Sequence, residues 1–153
     1  PQKGRKHILS MISMVLTADY VPAVSQIDKA VEYLMGIFKR KSLVFILSDF
    51  EDPYDKKIMQ VAARKHQMLA MRIYDEKDNE IPDVGYMLMN DSETGEQIWV
   101  NTSSARWRYT FAEAQKQKIR TLEQEFSGTS ASFLNIGTQD DYAKLLYQYF
   151  QKR

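Results

Sequence analysis

The sequence predicts an α/β fold: a mostly parallel sheet with helices on both faces and an added β-hairpin. Two observations carry that reading. Leu43 to Ser48 is a short, continuous apolar run without the polar alternation of a half-exposed strand, and Met68 to Tyr74 reads as a second buried strand. Between and around them lie segments whose apolar residues recur at helical spacing. Strands that alternate with amphipathic helices build parallel sheets covered on both sides.

Taken in order, His7 to Leu16 places Ile8, Met11, Ile12, Val15 and Leu16 on one helical stripe, and Pro22 ends that run. A second helix carries Ile27, Ala30, Val31, Leu34 and Phe38 on one face. Lys39, Arg40 and Lys41 close it, where the helix dipole favours cations. After the Leu43–Ser48 strand, Asp52-Pro53 reads as a helix start, an acid at the cap and proline at the first helical position. That helix carries Ile58, Met59, Val61 and Ala62. Met68 to Tyr74 follows and ends on Asp75. Tyr86–Met89 and Gln97–Val100 flank the turn-rich Asp91-Ser92-Glu93-Thr94-Gly95 and predict a hairpin. A long helix is expected from about Ser104 to Phe126, with Trp107, Phe111, Leu122 and Phe126 inward. Ser132–Ile136 is a short strand. Thr138, with Asp141 three residues on, is expected to cap a last helix striped by Tyr142, Leu145, Leu146, Tyr149 and Phe150. No internal repeat or linker interrupts the pattern, so residues 1–153 read as one domain.

Bulk composition narrows the functional classes. The 153 residues are 44% hydrophobic, enough for a core, and no stretch is long and apolar enough to span a bilayer. Lys and Arg number 21 against 20 Asp and Glu, so total charge gives no nucleic-acid face, and neither nucleic-acid nor membrane contact is expected. The absence of cysteine removes disulfides, thiolate metal sites and thiol nucleophiles, and suits a cytoplasmic location. A start at Pro1 without Met suggests a piece of a longer protein.

The candidate site begins with Asp49. Open parallel sheets bind ligands beyond the carboxyl ends of their strands, and Asp49 ends one. An ionised carboxylate in that crevice needs a cation or donors beside it; the plainer alternative is that it accepts backbone N–H groups of a loop. Asp52 is assigned to the helix cap. Asp75, ending the next strand on the same rim, is either an outer acid supporting such a site or a turn former. His7 and His66 show no partner in the sequence and are not expected to act in catalysis. Gly36 to Ser42 precedes a strand and lacks a second glycine, so it is not a phosphate loop. The acidic stretch Asp75 to Asp83 reads as a solvated loop. Arg106-Trp107-Arg108-Tyr109 could stack on nucleic acid, but Trp107 is needed on the helix's apolar face.

Several segments, KGRKHILSMI, VSQIDKAVEYL, KSLVFILSDFED, MRIYDEKDNEIPDVG and NDSETGE, resemble in order the C-terminal part of the domain-of-unknown-function 58 family. The resemblance implies a Rossmann-like von Willebrand factor A-type domain whose first strand lies upstream of Pro1. Such domains often hold a divalent cation, Mg or Mn, at a metal-ion-dependent adhesion site. Asp49 matches the Asp after the fourth strand, and Ser25 falls where the family's Thr ligand stands, although Ser25 also reads as a helix cap. The Asp-x-Ser-x-Ser loop appears nowhere here. Ser25 plus Asp49 is an incomplete site, and this stretch alone is not expected to hold a metal tightly. The missing strand would leave Leu43–Ser48 as an open edge inviting self-association.

Two functions follow, beside the plainest reading of a structural domain whose rim acids only satisfy turns. The first is a non-enzymatic protein-interaction module of a bacterial protein, which the resemblance links to MoxR-type AAA+ ATPases. The alternative is a Mg-dependent phosphotransfer or hydrolase domain using Asp49.

Overall fold

The computed structural model describes residues 4–18, 26–90 and 97–151. Among them the elements run α1 (Arg5–Thr17), α2 (Ile27–Ile37), β1 (Leu43–Ser48), α3 (Lys56–Lys65), β2 (Gln67–Tyr74), α4 (Glu76–Asn79), β3 (Tyr86–Asn90), β4 (Gln97–Asn101), α5 (Ala105–Ser127), β5 (Ser132–Gly137) and α6 (Tyr142–Gln151). The fold is α/β. A three-stranded parallel sheet has the order β1-β2-β5, and β3 and β4 form a separate antiparallel hairpin. The predicted hairpin turn, 91–95, lies outside the described residues.

Period-two alternation sorts the side chains onto two unequal faces. The crowded face gathers Val44 and Ile46 of β1, Met68 and Ala70 of β2 and Phe133 of β5 under Val31 of α2, Met59, Ala62 and Ala63 of α3, and Leu122 and Phe126 of α5. Phe50 plugs into the same cluster, with ring centroids 5.6 Å from Phe126 and 6.3 Å from Phe133. The open face holds Leu69, Met71 and Ile136, covered by Leu145, Leu146 and Tyr149 of α6. On that face β1 is left largely bare: Leu43, Phe45 and Leu47 are 43%, 42% and 64% exposed. Phe150 reaches Phe45 edge-on at 6.4 Å, and a hollow of about 220 Å³ lined by Leu47, Met71, Ile73, Ile136, Tyr142 and Leu146 lies beyond it.

Four sequence expectations are corrected. The helix after β1 starts at Lys56, not at Pro53: Asp55 is its cap, accepting the Lys57 N–H at 2.7 Å, and Asp52 lies in the turn before it. The reason is tertiary. Tyr54 stacks against Phe126 and donates its hydroxyl to Glu125, which keeps 52–55 out of the helix. Asp141, not Thr138, sits at the start of α6, accepting the Lys144 N–H at 3.0 Å. Phe38 follows α2 and is half exposed, and Ala30 is exposed too. The apolar stripe of α1 buries nothing: Ile8, Met11, Ile12, Val15 and Leu16 are all exposed.

His66 also differs from expectation. It is 1% exposed at the end of α3, and its Nδ1 accepts the Ser42 N–H at 3.3 Å. An accepting Nδ1 leaves the proton on Nε2, which is buried with no partner among the described residues. Burial first, and then the Lys65 charge, hold the imidazole below its ordinary pKa.

Candidate functional site

β1 ends at the carboxyl rim of the sheet, and a tight turn carries the chain away. Ser48 pairs with Arg72 of β2, so Asp49 emerges at the mouth of the crevice, exposed. Its Oδ1 accepts the Glu51 N–H at 3.2 Å and lies 3.4 Å from the Ser48 hydroxyl, while Ser48 Oγ accepts the Phe50 N–H at 3.0 Å. One carboxylate oxygen is thus committed to the turn's own backbone. Between these acids Phe50 has φ 56, the one non-glycine residue with positive φ among the described residues, while its ring is 3% exposed. A bulky residue held left-handed costs about 1–3 kcal/mol and persists only where its surroundings over-determine it. Here the aromatic cluster holds the ring inward while Asp49 and Glu51 stand outward.

Behind the turn lies a charge network that the sequence reading missed. Arg72 is 2% exposed on the central strand; Nη1 donates to Asn135 Oδ1 at 3.1 Å, and the guanidinium sits 5.0 Å over the Tyr74 ring. Glu51 Oε1 is 4.0 Å from Arg72, and Oε2 takes an ion pair from Lys118 of α5. A buried guanidinium needs such company, because leaving it unpaired costs several kcal/mol, of order 3–5. The available signal was an arginine inside an otherwise apolar strand. Beside the turn a groove of about 470 Å³ runs between Phe50, Glu51, Asp52, Tyr54 and the α5 residues Gln117, Lys118, Leu122 and Glu125. Lys56 bridges to Glu125 at 2.5 Å on its wall, and burial together with Glu125 raises the Tyr54 pKa.

Asp75 stands on the same rim but is engaged differently. It caps α4 in a reciprocal capping box with Asp78, accepting the Lys77 N–H at 2.9 Å, and Thr138 Oγ1 donates to its Oδ2 at 3.3 Å. Farther round, Asp83 accepts from the Ser103 hydroxyl at 2.7 Å and pairs with Arg108 at 3.4 Å. The Ser103 bond and Arg108 hold Asp83 below the usual carboxylate range. The stretch read as a solvated loop is therefore a capped helical turn plus an anchored strap.

As cation ligands these residues fall short. Among the described residues no three His, Cys, Asp or Glu side chains converge. Asp49 offers one uncommitted oxygen, Asp75 is spent as a cap, and Ser25 lies outside the described residues, next to Gln26 at the α2 capping position. Mg²⁺ or Mn²⁺ would need further oxygen donors from elsewhere.

Comparison with known proteins places the chain. Residues 1–121 match the family described as "Protein of unknown function DUF58". The chain belongs to that family. Among its relatives, Uncharacterized protein Rv1480 of Mycobacterium tuberculosis and Uncharacterized protein Mb1516 of Mycobacterium bovis are each 28% identical over 153 residues, covering 98% of this chain and 48% of theirs. The chain therefore spans about half the length of these curated relatives. Uncharacterized protein MAV169 of Mycobacterium avium is 26% identical over 156 residues, 99% of this chain and 91% of its own. No solved structure matches. Among the described residues of this DUF58 chain, no helix is long and apolar enough to cross a membrane.

Proposed function

We propose that this DUF58 domain is a non-enzymatic, cytoplasmic protein-interaction module that recognises its partner at the carboxyl rim of the sheet. The observation that carries the reading is the β1–α3 turn: Phe50 is held left-handed in the core, and the strain presents Asp49 and Glu51 to solvent beside a groove. Strain of this kind is worth keeping where a surface must be pre-organised for binding. The von Willebrand factor A-type fold is part of the proposal and is supported by the helix-flanked parallel sheet. Asp49 would then contribute one carboxylate oxygen to a Mg²⁺ or Mn²⁺ completed by Ser25 and by donors from outside this stretch. A MoxR-type AAA+ ATPase is the partner class the family resemblance favours. The phosphotransfer or hydrolase alternative draws less support, because the second carboxylate it needs, Asp75, is engaged in a cap.

Calorimetric titration of the protein with a purified MoxR-type ATPase tests this. The expected result is saturable binding with Mg²⁺ that weakens about tenfold or more in Asp49→Ala, a change of ~1.4 kcal/mol. Equal binding by wild type and variant, or none by either, overturns the reading.

A further inference from the structure

We infer that Arg72 and Lys118 form a receptor for the carboxylate of an acidic, apolar-flanked partner segment, and that Glu51 occupies it as a built-in stand-in. Two cations converge here on one acid: Glu51 Oε2 takes the Lys118 ion pair, and Oε1 stands 4.0 Å from Arg72 Nη2. That second distance is too long for a hydrogen bond. Arg72 is buried all the same, with Nη1 on the neutral Asn135 amide and Cζ 5.0 Å over the Tyr74 ring. A guanidinium is a fork that meets a carboxylate with two N–H groups at once, and burial makes a poorly matched one costly. The neighbouring ion pair shows the difference. Each oxygen of Glu125 has its own donor, the Tyr54 hydroxyl at 3.0 Å and Lys56 at 2.5 Å.

The surroundings choose what must accompany the carboxylate. Glu51 and Lys118 line the groove between the β1–α3 turn and α5, together with the apolar Phe50, Tyr54 and Leu122. Its volume of about 470 Å³ is that of a ligand site, and every residue lining it belongs to the described part of the chain. Tethered beside the cations at an effective concentration of order millimolar, Glu51 resists displacement by a bare anion. Asp49 and Asp52 on the same turn repel such an anion as well. A peptide whose acidic residue sits between apolar ones is different. Burying its apolar side chains against Phe50, Tyr54 and Leu122 adds free energy to the exchange of one carboxylate for another. Glu51 is exposed, so rotation of its side chain into solvent opens the place without moving the turn. The inference rests on the rim-binding reading for its partner, but it needs neither Asp49 nor a metal.

Titration of the isotope-labelled protein in EDTA with an acetylated, amidated Leu-Glu-Leu tripeptide, followed by NMR, tests the proposal. Saturable shifts of the Arg72 side-chain N–H groups and of the Glu51 and Lys118 amides are expected. In Glu51→Gln the dissociation constant should fall about tenfold, because the resident competitor is gone. In Lys118→Glu it should rise about tenfold or more, with circular dichroism unchanged in both variants. Glu51→Gln binding no more tightly than wild type overturns the proposal, since Glu51 would then be no competitor. So does binding that Lys118→Glu leaves unchanged, an equal response to a Leu-Gln-Leu tripeptide, or a preference for inorganic phosphate at the same N–H groups. No saturable shift with either wild type or Glu51→Gln overturns it too, and leaves the calorimetric test with the ATPase standing.

Discussion

Among the described residues one face of the sheet is roofed by three helices and the other by one, and β1 feels the difference residue by residue. Val44 points to the crowded side and is 8% exposed, while Leu47, three positions on, points the other way and is 64% exposed. The two side chains are similarly apolar. What separates them is the supply of helices, since α2, α3 and α5 converge on one side, while on the other α6 covers β2 and β5 and touches β1 through Phe150 against Phe45. A continuous apolar strand asks for two covers, and among the described residues β1 has a full one on the crowded side alone.

Substitutions on the two faces should separate by size. Phe126→Ala, which removes a ring stacked 5.3 Å from Phe133, is expected to cost about 3–5 kcal/mol in urea unfolding; a value below ~1.5 would mean that the crowded face is loosely packed. Leu69→Ala, fully buried under α6, should cost about 2–5 kcal/mol, showing that the open face is well packed where it is roofed. Acid should act through His66. Its folded pKa lies below the unfolded value, so protons bind the unfolded chain first as pH falls. Stability is therefore intact above about 6.5 and declines below it, by no more than one proton's linkage, and His66→Gln should flatten that decline in a midpoint-versus-pH series. Asp55→Ala should cost about 1 kcal/mol as a lost cap. Leu47→Ala should be smallest, within about 0.5 kcal/mol in dilute monomer.

The five strands and the order of the long helices were legible because period and length are local properties. What was not legible came from contacts far along the chain. Asp52-Pro53 satisfies every local rule for a helix start, and Tyr54 overrides it by reaching Glu125. The capping box at Asp75 and Asp78 hid inside an acidic run that looked merely soluble, although an acid three residues after an acid was a usable sign. For Asp49 the sequence located the rim, but not that Glu51's N–H would claim one of its oxygens. The Arg72–Glu51–Lys118 bridge joins three elements, and no spacing rule foretells it.

Arg72 has one more effect, on how the strands find their alignment. It sits on the crowded side between Asn135 and Glu51. A slip of β2 by one position would swing its guanidinium in among Leu134, Ile136 and Leu146, where nothing can hold a charge. An otherwise apolar strand could settle in several offsets of similar energy, and this single cation makes a one-position slip prohibitive, acting as a proofreader while the sheet assembles.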